Sequence, residues 1–496
     1  RVERFNRSFT MISNYMIDIT IATLPVLEFY LPPAAPALIK GHLEKHGFTC
    51  TALDLNLKSK QVLSKERFNE FFEFTTTNKE IDQSIKTEVY TSWEKLLLAD
   101  NPIWVGFSIF SGDSHNTARD FLPWFKKRNP KQKVLIGGNG TSKPQFIQEV
   151  LSSVDHIIYN EGEEALVELL KGNKKYPGID TPGKQIDDLD TIGHSNYNDY
   201  NLGEYDRFYA ENVVQITGSR GCIRRCTFCN IGHLWPTFRW RTGKHIFDEI
   251  KKIHQEKNVQ HFYFTDSLIN GNQKTYLEMC ELLADYNSTL DKKITWGGQY
   301  IVKRRKGLPS HYFEVTAKSG AFNLALGVET GSDSVRDHMK KHFDNDDFDF
   351  FMENFSKHKI TCSYLMMVGY PTETQQDFED TLYLFKRHQQ YVANGTITGC
   401  TLGTTMSILD DAPIGENHSD LYTFPTTPGL GVSRHWESTV VPGLDYKERM
   451  RRRLVAQRVC ESYGWSTISA DRELRQLQAQ SQQFQDVLTQ TPQLFP

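Results

Sequence analysis

Apolar runs alternate with segments of helical period through the first third of the chain. Between residues 17 and 172, runs such as IDITIATL, IWVGFSIF and VLIGG stand between helical segments such as ALIKGHLEKHGF and residues 115–127. Strands that are apolar throughout and are separated by helices predict a parallel sheet covered on both faces. We therefore predict an α/β, doubly wound (Rossmann-like) domain over residues 17–172, preceded by an N-terminal extension, residues 1–16.

A second strand–helix series follows a polar segment, residues 173–206, whose composition is typical of a linker. From VVQIT at residue 213 to CTLGTTMSI at residue 408, six strand-like runs alternate with helical segments. Six repeats without a seventh predict a partial (β/α)6 barrel over residues 207–408, with its active site at the carboxyl ends of the strands. For residues 409–496 we predict a mostly helical C-terminal extension. A basic helix around residues 446–463 packs against the barrel through Leu454, Val455, Val459 and Tyr463 and presents an arginine-rich surface at residues 448–453, and the Gln-rich tail is a peripheral helix or disordered.

The composition narrows the class of protein. Hydrophobic residues make up 39% and charged residues 24% of the 496 residues, as in globular proteins. The formal net charge of −4 gives no reason to expect nucleic acid or an anionic membrane as a partner. No run reaches the roughly 18 apolar residues of a membrane helix, and RVERFNRSF does not resemble a secretory signal, so we expect a cytoplasmic protein without a membrane span.

Three of the eight cysteines stand together directly after the first strand of the second series, in GSRGCIRRCTFCNIG. Cys222, Cys226 and Cys229 are close enough in sequence to surround a single metal centre. Because a four-iron cluster usually takes four cysteines, three would leave one iron open to a non-protein ligand. Two alternatives remain: a structural Cys3His zinc site completed by His233, and a set of ordinary core thiols.

This spacing, in this position and with Phe228 before the last cysteine, resembles the radical SAM superfamily. The resemblance implies a [4Fe-4S] cluster that binds S-adenosylmethionine (SAM), receives an electron from a donor such as flavodoxin or ferredoxin, and generates a 5′-deoxyadenosyl radical. It also assigns SAM contacts to residues at four strand ends, although the family's Gly-Gly-Glu triplet is missing. The SAM-binding residues implied are Phe228, Thr265, Asp266, Ser267, Gln299, Glu329, Gly369, Tyr370 and Pro371.

Each of these residues also has a structural interpretation. Asp266 and Glu329 would serve equally as helix caps or first-turn charges. Gly369 and Pro371 would in that case only shape a turn. The sequence assigns no further catalytic side chain.

The first domain resembles the cobalamin-binding domain that precedes the radical barrel in one subclass of the superfamily. The histidine motif of proteins that ligate cobalt is absent after the first strand. GDSHNTA offers His115 instead, but a capped helix start explains the same letters. A remnant domain without cobalamin is the other alternative. The cobalamin-binding residues implied are Ser108, Ser111, Gly137, Gly138, Asn139, Gly140, Glu161 and Gly162.

The resemblance implies a cobalamin-dependent radical SAM methyltransferase that acts on an unactivated carbon of a small molecule or natural product. The alternatives are a radical SAM cyclase or rearrangement enzyme with the same domains, with or without cobalamin, and a non-catalytic zinc- or cobalamin-binding protein. A methylthiotransferase is disfavoured because the first domain, which would carry the second cluster, contains only Cys50. The basic and aromatic residues after the cysteines suggest an anionic or aromatic substrate, or else a solvated face: Arg224, Arg225, Arg239, Arg241, Trp235 and Trp240.

Overall fold

The computed structural model describes residues 16–25, 27, 29–206, 210–403, 406–425 and 432–468. The chain divides into two compact units, one of residues 1–215 with 255–257 and one of residues 216–254 and 258–496. The elements of the first unit are, in chain order, β1 (Ile19–Thr23), α1 (Ala34–Lys45), β2 (Cys50–Asp54), α2 (Leu55–Val62), α3 (Lys65–Thr77), α4 (Gln83–Leu97), β3 (Trp104–Ser108), α5 (His115–Arg128), β4 (Lys133–Gly137), α6 (Pro144–Val150), β5 (His156–Ile158) and α7 (Gly162–Leu170).

The sheet of the first unit is parallel, in the order β2-β1-β3-β4-β5. Separate apolar clusters cover its two faces, one built around Trp93 and Phe121 and the other around Leu43 and Leu166. The predicted doubly wound fold is confirmed. In this order the direction of winding reverses between β1 and β3, which is where doubly wound sheets bind ligands at their carboxyl ends.

Two stretches of the first unit differ from the sequence pattern. The chain between β2 and β3 forms three helices, of which α3 and α4 begin at the capping side chains of Ser64 and Asp82. Residues 173–206, predicted as a linker, contain only short 3-10 turns and no strand. Their apolar side chains are nevertheless buried, with Leu189 and Ile192 packed against Leu38.

The second unit contains the second strand–helix series. Its elements, with β6 running across the division between the units, are β6 (Val213–Ile216), β7 (Ser219–Arg220), α8 (Ile231–Leu234), β8 (Arg239–Trp240), α9 (Gly243–Lys257), β9 (His261–Phe264), α10 (Gln273–Ser288), β10 (Thr295–Gly297), β11 (Gln299–Tyr300), α11 (Tyr312–Lys318), β12 (Leu324–Glu329), α12 (Asp333–His338), α13 (Asn345–His358), β13 (Cys362–Met366), α14 (Gln375–Arg387), α15 (Gln389–Ala393), β14 (Ile397–Leu402), β15 (Ile408–Leu409), α16 (Pro413–Asn417), β16 (Tyr422–Thr423), β17 (Val432–Ser433), β18 (Glu437–Ser438), α17 (Tyr446–Ser462) and β19 (Thr467–Ile468).

The predicted partial barrel is confirmed, with one addition. Its strands form two runs, β10-β9-β6 and β11-β12-β13-β14-β19. The runs meet at Gly298, whose φ of 150° interrupts the third barrel strand in a conformation that favours glycine. The expectation of no seventh strand is wrong, because the short strand β19 pairs in parallel with β14.

Helix α17 departs most from expectation. The predicted arginine-rich surface is wrong: Arg449, Arg452 and Arg453 are all buried. Arg453 donates hydrogen bonds to the carbonyl oxygens of Leu402 (3.1 Å) and Gly403 (2.7 Å), where β14 ends. The guanidinium group thus donates to backbone carbonyl oxygens at the point where strand pairing ends. The Gln-rich end lies outside the described residues.

Within the described ranges, none of the helices combines the length and hydropathy that crossing a lipid bilayer requires.

Candidate active site

The loop between β7 and α8 carries the three clustered cysteines. Gly221 opens it at a φ of 85°, and a Cβ there would lie 2.8 Å from the carbonyl oxygen of Thr237. The Cys229 N–H donates to the Cys226 carbonyl oxygen (3.1 Å), which curls the loop back on itself. The three thiols interact electrostatically with one another, and burial raises the pKa of each. The structure therefore gathers the predicted trio on one short loop.

The zinc alternative gains no support from this arrangement. Within the described part of the chain, no three His, Cys, Asp or Glu side chains converge as ligands of a single ion. The His233 ring is exposed, with Nδ1 4.0 Å from Glu416 Oε1. Zinc ligands all lie about 2–2.3 Å from one ion, whereas the thiolates of an iron–sulfur cube bind different irons and stand farther apart.

At the end of β9, Asp266 accepts hydrogen bonds from the residues that lead into the cysteine loop. Its two carboxylate oxygens accept hydrogen bonds from the Gly218 N–H (2.8 Å) and the Ser219 hydroxyl (2.5 Å). Burial raises the pKa of Asp266 to about 6. Both oxygens are engaged inside the fold, and α10 is capped by Asn272, so Asp266 is not a helix cap.

Its neighbours at this strand end are more open. Thr265 is exposed, with its hydroxyl oxygen 2.7 Å from that of Thr217, and Ser267 is half-buried. Gln299 is exposed at the start of β11, and its carbonyl oxygen accepts from the Ile269 N–H (2.9 Å). Thr265 and Gln299 thus present free polar surface at two neighbouring strand ends.

Glu329, at the end of β12, forms an ion pair that the sequence pattern did not reveal. Its backbone is left-handed (φ 66°), beside an irregularity in the pairing with β13. Lys341 places Nζ 2.9 Å from Glu329 Oε1, and both side chains are largely buried. Lys341 Nζ also lies 5.8 Å from the ring centre of Phe228 in the cysteine loop, and its charge opposes the rise that burial gives the pKa of the Cys222, Cys226 and Cys229 thiols. Helix α12 is capped by Ser332, so Glu329 is not a helix cap either.

The backbone on either side of Lys341 is sharply bent, which sets the direction of the Lys341 side chain. Lys340 and His342 both adopt left-handed conformations, with φ of 57° and 58°. Such residues bend the chain sharply and are uncommon outside glycine and asparagine. A lysine twelve residues beyond Glu329 carries no sequence signal that links the two, so only the fold brings them together.

The turn after β13 is buried and braced by side chains. Gly369 has a φ of 83°, and its N–H donates to both carboxylate oxygens of Glu373 (3.1 Å each). The Tyr370 hydroxyl lies 2.8 Å from that of Thr227 in the cysteine loop. Pro371 accepts a hydrogen bond from the Ser438 hydroxyl (2.7 Å). The turn therefore connects the cysteine loop to the C-terminal segment.

The C-terminal segment also contacts the cysteine loop directly. The Ile414 N–H donates to the Thr227 carbonyl oxygen (2.8 Å), and the Asn230 side-chain amide donates to Asp411 (3.2 Å). Phe228 packs against an apolar cluster that includes Trp436. A segment that the sequence left without a role thus positions the loop of the three cysteines.

Most of the arginines suggested as substrate contacts are engaged within the fold. Arg225 donates to the carbonyl oxygens of Cys222 (2.7 Å) and Pro236 (2.6 Å). Arg241 is buried in an ion pair with Glu249. Arg239 is buried, with its guanidinium 5.6 Å from the ring centre of Trp235, and Trp240 is exposed. The interpretation as a solvated basic face is wrong for Arg239 and Arg241.

In the first unit, the residues predicted to bind cobalamin form one group at the carboxyl ends of β3 and β4. The Ile109 N–H donates to the Gly137 carbonyl oxygen (2.8 Å), and the Gly140 N–H donates to the Ile109 carbonyl oxygen (2.9 Å). Gly138 has a φ of 102°, and a Cβ there would lie 2.6 Å from the Ile109 oxygen. These contacts bring together Ser108, Ser111, Gly137, Gly138, Asn139 and Gly140.

The remaining predicted residues of this unit have structural roles. Glu161 is buried and accepts a hydrogen bond from the Ile186 N–H, and Gly162 begins α7. His115 stacks on Phe146, with ring centres 3.9 Å apart, and its Nε2 lies 2.8 Å from the Gly140 carbonyl oxygen. The interpretation of His115 as part of a helix start, which supports the glycine loop, agrees with this geometry.

Phe110 was missed by the sequence analysis. It lies next to Ser111 beyond the end of β3, and 62% of its side chain is exposed. Its sequence context, VGFSIFS, gives no sign that this ring is exposed. Phe110 stands at the edge of the sheet where doubly wound folds bind ligands.

Residues 216–385 match the sequence model of the Radical SAM superfamily. The barrel is therefore a radical SAM domain, and the superfamily implies a [4Fe-4S] cluster and SAM as the cofactors of that domain.

Two solved structures share the fold across most of this chain. The cobalamin-dependent S-adenosylmethionine radical enzyme OxsB matches with a TM-score of 0.64 and 16% identity, over 90% of this chain and 67% of that one. The radical S-adenosylmethionine methyltransferase TsrM from Kitasatospora setae matches with a TM-score of 0.60 and 14% identity, over 90% of this chain and 88% of that one. The chain therefore shares the fold of these two proteins over most of its length.

Curated relatives match over shorter stretches. The anaerobic magnesium-protoporphyrin IX monomethyl ester cyclase of Cereibacter sphaeroides is 26% identical over 288 residues, 53% of this chain and 45% of that protein. A tRNA-2-methylthio-N(6)-dimethylallyladenosine synthase of Clostridium botulinum is 26% identical over 204 residues, 40% of this chain and 44% of that protein. The chain thus spans about half of the length of the curated relatives it matches.

Proposed function

We propose that this protein is a cobalamin-dependent radical SAM methyltransferase that transfers a methyl group to an unactivated carbon of a small molecule. The observation that carries the proposal is the pairing, in one chain, of a three-cysteine radical SAM barrel with a doubly wound unit whose ligand-binding edge exposes Phe110. TsrM, a methyltransferase whose structure was solved with cobalamin and a [4Fe-4S] cluster, has the same fold.

The residues around the cysteine loop fit the cofactors of the family. Cys222, Cys226 and Cys229 would hold the cluster, which supplies the electron that cleaves SAM into methionine and a 5′-deoxyadenosyl radical. The Lys341 ammonium group suits the carboxylate of SAM, and the Glu329 carboxylate suits the ribose hydroxyls, because each is a charged partner for a polar group at a buried position.

The other predicted SAM contacts differ in what each side chain offers the cofactor. Phe228 packs beside the cysteine loop, and the buried turn of Gly369, Tyr370 and Pro371 offers the adenine a shaped surface. Thr265, Ser267 and Gln299 offer polar groups at the strand ends. Asp266 acts through the loop that it braces, since both of its oxygens are already engaged.

The first unit fits a corrin at the carboxyl ends of β3 and β4. Phe110 offers an apolar face, Ser108 and Ser111 offer hydroxyl groups, and the turn of Gly137 and Gly138 carries no side chain. Cobalamin, when bound, would supply the methyl group to the substrate. We assign no cobalt ligand to His115, because its Nε2 is engaged with Gly140.

The test uses the full chain purified and reconstituted without oxygen. We expect about four irons and four sulfides per chain, a corrin absorbance that survives gel filtration, and 5′-deoxyadenosine formed from SAM and a reductant. Cys226→Ala should abolish 5′-deoxyadenosine formation, whereas Cys280→Ala, which removes a buried thiol of α10, should not. A colourless protein with one zinc per chain would contradict the proposal and support the non-catalytic class.

Methyl-labelled SAM, with candidate metabolites analysed by mass spectrometry, separates the methyltransferase from its runner-up. Label in the product supports methyl transfer. A modified product without label supports a radical SAM cyclase or rearrangement enzyme, which the similarity to the magnesium-protoporphyrin IX monomethyl ester cyclase favours as second candidate. We also propose that the electron comes from a donor such as flavodoxin or ferredoxin. Replacing the chemical reductant in the assay by either protein tests this.

A further inference from the structure

The cysteine loop is held in place through Thr227, which stands between the second and third cysteines. Thr227 is buried, and each of its polar groups has a partner in a different segment of the second unit. Its N–H donates to the carbonyl oxygen of Met339, just beyond α12 (3.2 Å), and its carbonyl oxygen accepts from the Ile414 N–H (2.8 Å). Its hydroxyl oxygen lies 2.8 Å from that of Tyr370, in the turn after β13. Three segments therefore fix the position of this one residue.

The hydroxyl groups of Thr227 and Tyr370 share an acceptor. The His338 carbonyl oxygen lies 3.4 Å from the Thr227 hydroxyl and 3.5 Å from the Tyr370 hydroxyl. One hydroxyl therefore donates to the other while the second donates to His338, and both protons have an acceptor. Because Tyr370 is also buried, removing either hydroxyl leaves the other short of a partner in a place that water does not fill.

The same junction reaches Lys341. His338 places Nδ1 2.7 Å from the hydroxyl oxygen of Thr372, which ties the end of α12 to the turn after β13 a second time. Lys341 follows three residues later, and its Nζ lies 5.8 Å from the ring centre of Phe228 in the cysteine loop. The cysteine loop, the segment that carries Lys341 and the turn after β13 thus meet at the Tyr370 hydroxyl.

We propose that Tyr370 is a positioning residue for the radical SAM cofactors: its hydroxyl fixes the cysteine loop relative to the turn after β13, and so couples binding of SAM to the cluster. The proposal rests on the radical SAM part of the proposed function and is independent of methyl transfer. Thr227 lies between Cys226 and Cys229, so a shift at this hydrogen bond moves two cluster ligands together. Groups that bind cofactors act only when the residues behind them hold them within about 0.5 Å of the productive geometry.

The variants isolate the hydrogen bond from the rest of the side chain. Tyr370→Phe removes the hydroxyl and keeps the ring, so any ring contact with SAM stays in place. Thr227→Val removes the partner hydroxyl, and Thr227→Ser retains it. Tyr364→Phe is the matched control, because the Tyr364 hydroxyl is equally buried on β13 and lies 2.8 Å from Nδ1 of His388, beside Trp465 rather than the cysteine loop.

The first measurement is hydrogen–deuterium exchange of the full chain without its cluster, read by mass spectrometry from the peptide that covers residues 222–230. Tyr370→Phe and Thr227→Val should each speed exchange in this peptide about five- to tenfold, the effect of losing one hydrogen bond. Thr227→Ser and Tyr364→Phe should exchange there as the wild type does. Unchanged exchange in Tyr370→Phe would overturn the proposal.

The second measurement is calorimetry with SAM on the cluster-reconstituted full chain. The dissociation constant of SAM should rise about tenfold in Tyr370→Phe and in Thr227→Val, and no further in the double variant, because both substitutions remove the same hydrogen bond. The paramagnetic resonance spectrum of the reduced cluster should change in both variants and not in Tyr364→Phe. An unchanged constant in Tyr370→Phe, or an equal rise in Tyr364→Phe, would overturn the coupling to SAM.

The two measurements separate this proposal from the proposed function. A wild type that takes up no iron would contradict the proposed function, while the exchange data still decide whether Tyr370 holds the cysteine loop. A wild type that forms 5′-deoxyadenosine, with wild-type SAM affinity in Tyr370→Phe, would count against the positioning role alone.

Discussion

The Arg452 guanidinium Nη1 lies 3.0 Å from Oε1 of Glu373, and both side chains are buried. Arg452 also donates to the carbonyl oxygens of Glu373 (2.9 Å) and Thr374 (3.1 Å). The same carboxylate accepts the Gly369 N–H. Helix α17 therefore holds the turn after β13 through this ion pair and two hydrogen bonds to backbone carbonyl oxygens, and the C-terminal segment is structurally part of the barrel site.

Arg452→Met should destabilise the protein strongly, because it leaves the Glu373 carboxylate buried without its partner. Removing one member of a buried pair typically costs about 3–5 kcal/mol of unfolding free energy. Urea unfolding measures the change. Arg451→Met is the matched control, since Arg451 pairs with Glu448 at a partly exposed position and should cost under about 1 kcal/mol. The double variant Glu373→Gln with Arg452→Met should regain part of the loss, and equal losses for Arg451 and Arg452 would contradict this account.

Lys341→Met should raise the dissociation constant of SAM about tenfold in the cluster-loaded protein, because the substitution removes a buried cation beside the cysteines. Calorimetry with SAM measures this directly. Lys340→Met, at the exposed neighbouring position, is the control and should leave the constant unchanged. Adding Glu329→Gln to Lys341→Met should recover stability without restoring SAM affinity. An unchanged constant in Lys341→Met would remove Lys341 from the SAM site.

Phe110→Ser should leave stability unchanged and weaken cobalamin retention about tenfold or more, since burying a phenylalanine side chain contributes about 1.5–3 kcal/mol. The corrin absorbance that remains after gel filtration is the measurement. Tyr383→Ser removes a similarly exposed ring, 52% exposed, from α14 and should retain cobalamin fully. Equal retention in the two variants would place the corrin elsewhere or leave the domain without one.

The stability of the protein should depend on pH through Asp266, whose pKa is raised by burial from 3.8 to about 6. The folded state holds this proton more tightly than the unfolded chain. The contribution is therefore complete below about pH 4 and is lost as the pH rises through 6, a decrease of about 3 kcal/mol. Asp266→Asn should remove this component. Urea unfolding at pH 4.5 and 6.5 of the wild type and the variant measures the difference, and identical pH dependences would contradict the assignment.

The features that could be predicted from the sequence were those that depend on residues close together in the chain. The cysteine spacing lies within one loop, and the strands and helices follow from periodicity over short segments, so the doubly wound domain and the partial barrel could both be recognised. Lys341 could not, because its partner Glu329 lies twelve residues away across α12. Phe110 was missed because the apolar run that contains it does not show which of its side chains is exposed.

The sequence by itself determined the alternation of strands and helices in the two units, the trio of cysteines and the glycines of the strand-end turns, since these depend on local hydrophobicity, spacing and backbone freedom. The tertiary structure alone decided which charges are buried and what balances them. Arginines are normally solvated, so the run in α17 predicts a surface. Burial of Arg449 and Arg453 is favourable only because the fold places backbone carbonyl oxygens beside them: those of Met406, Arg434 and Trp436 for Arg449, and that of Leu402, at the end of β14, for Arg453. Charge balance depends on neighbours distant in sequence, and only folding brings them within reach.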